Sequence, residues 1–196
     1  MRSSDRSSRG MLVVAAALAA LSVTLLLASR VHGQEATRGG TASAGFMPQA
    51  TVVEVMNAMV MSSAQALWDS VSYESGPNGD VVKTPDTDEA WEKLRWSAVT
   101  LAEAANVLLI PGRKVDAPGV ESDAPDAELS PAQIQTLIDR DHDAWAGHAR
   151  ALHEVAMQAI AAIDSKDGDQ IVEVGGTLDS VCEGCHLQFW YPNQAQ

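Results

Sequence analysis

The sequence predicts an all-α protein, an antiparallel four-helix bundle. Four stretches repeat apolar residues at three- and four-residue steps, each is bounded by turn or capping residues, and no run of alternating β-branched residues competes with them. At 196 residues, with 46% apolar and 5% aromatic side chains, the chain has the size and make-up of one globular domain.

Residues 1–33 are set apart from that domain. Arg2, Arg6 and Arg9 precede an uncharged apolar run over 11–28, and Val31-His32-Gly33 offers a cleavage region, the pattern of an export signal peptide. The rival reading is an uncleaved membrane anchor, since 18 apolar residues reach the lower limit for a spanning helix. Residues 34–47, rich in Gly, Ala, Ser and Thr without a hydrophobic period, read as a flexible leader.

The bundle is expected over 48–191. Over 48–73 the stripe Val53, Met56, Val60, Ala64, Leu67 and Val71 marks helix one. Residues 74–86 carry turn formers, and Asp86 with Glu89 three residues on reads as a capping box opening helix two, whose stripe runs from Trp91 through Leu94, Ala98, Leu101 and Ala105 to Leu108. Pro111-Gly112 ends it. Residues 112–129, with two Gly, two Pro and five acidic side chains, suit a solvated crossover loop.

Ser130-Pro131-Ala132-Gln133 gives a cap, Pro at the first helical position and Gln at the third, so helix three starts there and is expected to run to about Asp164. Its stripe includes two polar residues, Asp141 and His148. After a short turn, Ile171, Val174, Leu178, Val181 and Cys185 make the stripe of helix four, which Pro192 closes, leaving 192–196 as a tail. Gly175-Gly176 inside that stripe calls for either a close approach by a neighbour or a kink.

The string that carries chemistry is Cys182-Glu183-Gly184-Cys185-His186, the C-x-x-C-H pattern of covalent haem attachment. Helical spacing puts positions 182, 185 and 186 on one face, so two thiols can form thioethers with haem vinyl groups while the imidazole reaches the iron. A thioredoxin-like pair would open a helix after a strand, and a zinc site would need a fourth ligand. A plain disulfide beside an ordinary histidine stays open as the third reading, a stapled helical interaction module.

An export signal, four helices and C-x-x-C-H near the end of the last one resemble the class II c-type cytochromes, the cytochrome c prime family. The resemblance implies one covalent haem c, with Cys182 and Cys185 as thioether positions and His186 as proximal iron ligand. Many members follow the motif with C-H-x-x-[FY]-[RK]; His186-Leu187-Gln188-Phe189-Trp190 keeps the aromatic and lacks the basic residue.

In that family helix one lines the opposite face of the haem. Low-spin members place a methionine there and transfer electrons, whereas five-coordinate members place an apolar residue there and bind nitric oxide or carbon monoxide. The resemblance therefore implies Met56, early in helix one and on its stripe, as distal ligand, with Met59 in reserve and Met61 off the stripe. His148 ranks below them as a ligand; a seam histidine is more often hydrogen-bonded within the core or to a haem propionate.

The function expected is that of an exported, periplasmic monohaem electron carrier; the alternative is a five-coordinate gas-binding protein for sensing or scavenging. Nothing supports an enzyme: no Ser-His-Asp set, phosphate-binding Gly-rich loop or carboxylate pair stands out. Net charge is −13, and loss of residues 1–33 would leave 9 basic and 25 acidic side chains, a net −16. Nucleic-acid binding is disfavoured, and a redox partner with a basic docking surface is favoured. Membrane contact is expected only through an uncleaved N-terminus, and the resemblance allows a homodimer.

Overall fold

The computed structural model describes residues 45–77 and 79–194. The expected signal segment and nearly all of the leader lie outside the described residues. What is described is mostly helical, with one small two-stranded sheet, and among the described residues no helix is long and apolar enough to cross a membrane.

Helix one starts at a Thr51 cap. Thr51 Oγ1 accepts from Glu54 N, and the Glu54 carboxylate accepts from Thr51 N, a reciprocal capping box. The rod runs as α1 (Val52–Val55), a π-helical segment (Met56–Met61) and α2 (Ser62–Trp68). It stops five residues short of the expected Tyr73 because the backbone turns at Asp69 and Ser70, where Ser70 Oγ donates to Leu67 O.

The stretch expected to be plain turn contains a hairpin. Strands β1 (Ser72–Gly76) and β2 (Gly79–Lys83) pair antiparallel, with Tyr73 opposite Val82 and Gly76 opposite Gly79. Turn residues between two extended runs are a hairpin signal, and Gly79 takes a φ of +102° that favours glycine. Tyr73 Oη donates to Asp169 Oδ1, tying the hairpin to the start of the last helix.

Helix α3 (Asp88–Leu108) is capped by Thr87, whose side chain accepts from Ala90 N, so the cap lies one residue after the expected Asp86 and no capping box forms there. The expected single helix three is two: α4 (Pro131–Arg140) opens with the Ser130–Gln133 capping box, and α5 (His142–Asp164) begins anew after Asp141. Asp141 leaves helical geometry at φ −131° and ψ 63° and caps Ala144 N with its own carboxylate. A short polar side chain gains more as a cap than in a helix interior, so this supposed seam residue is exposed at a break.

Helix α6 (Gly168–Phe189) starts at an Asp167 cap, runs through both glycines unbroken, and is followed by a short 3-10 turn (Pro192–Gln194). Helices α3 and α5 pack together, α5 also lies on α6, and α2 contacts both α3 and α6. Helices α3 and α5 both bury alanines, Ala98, Ala102, Ala104 and Ala105 on α3 and Ala149, Ala156, Ala159 and Ala162 on α5.

The two glycines of α6 separate cleanly. A side chain on Gly175 would meet Trp68 Cδ1 at 3.2 Å, and Trp68 Nε1 donates to Gly175 O at 3.0 Å, whereas a side chain on Gly176 would meet nothing. A neighbouring helix therefore explains Gly175. Gly176→Ala is expected to raise stability by about 1 kcal/mol through helix propensity. Gly175→Ala, which pushes against a hydrogen-bonded indole, is expected to lower it; urea unfolding of the two variants checks both signs.

Candidate functional site

The last turns of α6 present Cys182, Cys185 and His186 along one face, all half-buried, with both thiols free. This face fronts a cavity of about 380 Å³, within the range of small-molecule and cofactor sites. Helix one supplies the facing wall through Val53, Met56, Val60, Met61 and Ala64, with Trp68 further along the rod; α5 adds Trp145, His148, Ala149 and Leu152. The enclosure is chiefly apolar.

Of the methionines, Met56 lines this cavity and is half-buried. Met59 packs against the core and is not among the lining residues, while Met61, expected off the stripe, lines the cavity and is 52% exposed. The π-helical segment accounts for this: its wider i→i+5 turn brings residues 56 and 61 towards the same side, where the tighter α-helical turn would part them. Periodicity alone assumes the α-helical repeat.

His148 also lines the cavity, but its Nε2 is 2.7 Å from Gln188 Oε1 and its ring meets Phe189 edge-on at 5.9 Å. Gly184, between the two cysteines, faces the same ring: a Cβ there would make an ordinary contact with His148 Cε1 at 3.9 Å. His142 starts α5 exposed, and His153 lies away from the cavity.

The polar groups of the cavity are Asp179, Glu183 and Glu128, with Asn57 and Tyr191. Sequence reasoning gave no site role to Asp179, Glu183, Glu128 or Asn57; Tyr191, with Trp190, it read as either covering a haem edge or packing the helix end. Asp179 could have been found one turn before Cys182, and Glu183 lies inside the motif. Glu128 arrives from the acidic loop because Leu129 N donates to Trp190 O at 2.8 Å and Gln194 Nε2 to Ala127 O at 3.1 Å, tertiary bonds with no local signature. The loop expected to be solvated is thus fixed at this end.

Burial governs the chemistry of the site. It pushes the Cys182 thiol up to about 11, with Asp179 adding to the effect, and the Cys185 thiol up to about 12, with Cys182 adding to it. It lowers the His186 pKa, against the opposing pull of Glu183 and Glu128. At neutral pH the site therefore holds two protonated thiols and a neutral imidazole. Tyr191 is pushed up to about 12 by desolvation and by its hydrogen bond to Glu183, so its phenol stays a donor.

Among the described residues no group of three or more His, Cys, Asp or Glu side chains gathers as an ion-chelating cluster. The motif's three donors line one face of α6 at the cavity. No protein-family model, curated protein or solved structure matches the chain.

The raised thiol pKa values give a pH test on the full chain before any cofactor is attached. At pH 8 iodoacetamide is expected to alkylate Cys182 and Cys185 roughly tenfold or more slowly than a free cysteine, because few thiolates are present. Raised folded-state pKa values also mean that the thiols' contribution to stability is complete below the ordinary pKa near 9.0 and is lost as pH rises through about 11 to 12. Mass spectrometry of timed alkylation and denaturation midpoints against pH check the two parts.

Proposed function

We propose that the chain is an exported, periplasmic monohaem c-type cytochrome that carries electrons, a four-helix bundle of the class II type. The observation that carries this reading is the C-x-x-C-H face of α6 looking across an apolar cavity at Met56. Cys182 and Cys185 would hold the haem as thioethers, His186 would be the proximal ligand and Met56 the distal one. Bound there, haem would supply a one-electron iron couple.

The residues present suit that group. Burial keeps the thiols in the S–H form that adds across a vinyl group and keeps His186 neutral, with a lone pair free for iron. A thioether from Met56 and an imidazole from His186 would hold the iron, a ligand pair that would favour low spin and little rearrangement on electron transfer. The apolar walls of the cavity would limit water around a group bound there, and the acidic surface would speed encounter with a basic partner, chiefly through the association rate.

The test is the absorption spectrum of the haem-matured protein, oxidised and reduced, with and without carbon monoxide. Low-spin bands unmoved by carbon monoxide are expected for the wild type. A high-spin spectrum that shifts would replace the carrier with a gas-binding protein, and the absence of a Soret band would end both readings.

Met56→Ala is expected to give a high-spin spectrum that carbon monoxide shifts, with Met61→Ala unchanged. Replacing both cysteines by serine is expected to abolish haem retention after acid-acetone extraction.

A further inference from the structure

Resting on the haem reading above, we propose that Tyr191 is a positioning residue for the His186 imidazole, locked in place by Glu183 from within the attachment motif. Ligand histidines are commonly oriented by a second group that fixes the ring, and loss of that group changes the metal's properties without removing the ligand. The His186 ring is flanked by aromatic rings: Trp190 at 5.7 Å with 53° between planes, and Tyr191 at 5.9 Å and 62°.

The chain has to fold back to make this contact. Residues 183 and 191 would stand about 12 Å apart along a continuous helix, yet Tyr191 Oη donates to Glu183 Oε2 at 2.7 Å. The return is built by the helix end: α6 stops at Phe189, Trp190 N and Tyr191 N both donate to His186 O, and Pro192 disfavours helical geometry for the residue before it.

The backbone bonds already satisfy the terminal carbonyl, so closing the helix does not require the phenol–carboxylate bond. What that bond adds is a fixed ring orientation. A phenol held at its hydroxyl by a carboxylate and at its backbone by the residue it touches has little freedom to turn, and the bond to a charged acceptor is of the stronger kind. Glu183 is the first variable position of C-x-x-C-H, so the lock joins the attachment segment to the ring that follows it.

The experiment uses the haem-matured full chain with Tyr191→Phe, Glu183→Gln and Glu183→Ala, reading the midpoint potential in the otherwise wild-type chain and, in the reduced Met56→Ala background that opens the iron to high spin, the iron–histidine vibration by resonance Raman. Tyr191→Phe keeps the ring and removes only the hydroxyl; it is expected to shift both readouts with haem content unchanged. Glu183→Gln and Glu183→Ala remove the same charge, but only Gln keeps an acceptor. The Gln variant is therefore expected to keep the vibration near wild type, while the Ala variant shifts it as Tyr191→Phe does.

A wild-type potential and vibration in Tyr191→Phe, or equal shifts in the two Glu183 variants, would overturn the proposal. A second measurement stands apart from haem: nitrogen NMR of the His186 ring in the histidine-labelled, haem-free full chain. Ring signals displaced by Tyr191→Phe and by Glu183→Ala support the lock, and signals unmoved by either overturn it. A chain that takes up no haem would sink the cytochrome reading, and the NMR comparison would still decide the contact.

Discussion

Helix one and α6 meet where one of them has no side chain, and the cavity depends on that meeting. The Trp68 indole lies against Gly175 and donates to its carbonyl, so the two rods are fixed to each other by a directional bond at a contact that any Cβ would crowd. Trp68 also lines the cavity, with Ala64 and Val60 before it on the same rod. A small residue at one point of α6 thus sets the distance across which the motif, two to three turns later, faces Met56.

The other end of helix one is held with equal care. Val52 N and Val53 N donate to the carbonyls of Lys114 and Val115, and Arg113 reaches both Ala50 O and Val107 O. Val115 is buried and its own N–H is taken by Gln135. The first turn of helix one, the loop after α3 and the first turns of α4 are therefore one hydrogen-bonded unit. Between this unit and Trp68 lies the π-helical segment, the only stretch of the described rod that departs from α-helical repeat, and it carries both methionines of the cavity.

Much of this was legible from residues and spacing. Apolar periodicity located the helical segments, Ser130-Pro131-Ala132-Gln133 marked a helix start to the residue, and C-x-x-C-H picked out the face of α6 that lines the cavity. The misses have physical reasons. Asp141 breaks helix three because its carboxylate competes for backbone N–H groups, a choice that a stripe drawn through residue 141 cannot register. Met61 enters the cavity through a change of helical repeat, and Glu128 through bonds between segments some sixty residues apart. The hairpin is stabilised partly by Tyr73 reaching Asp169, a partner distant in sequence.

One environment sets the protonation of all three groups of the motif. Withdrawal from water disfavours the charged form of each, which for a thiol means keeping its proton and for an imidazole means losing it. The same desolvation therefore quiets Cys182 and Cys185 as nucleophiles towards stray electrophiles while leaving His186 a better donor to a metal than an exposed imidazole at the same pH. The carboxylates of Glu183 and Glu128 work against part of this, since they favour a protonated His186, whereas Asp179 reinforces burial at Cys182, and the lining includes no Lys or Arg to offset them. A site so arranged is electrostatically receptive to positive charge at its centre. Burial keeps that charge from residing on the imidazole.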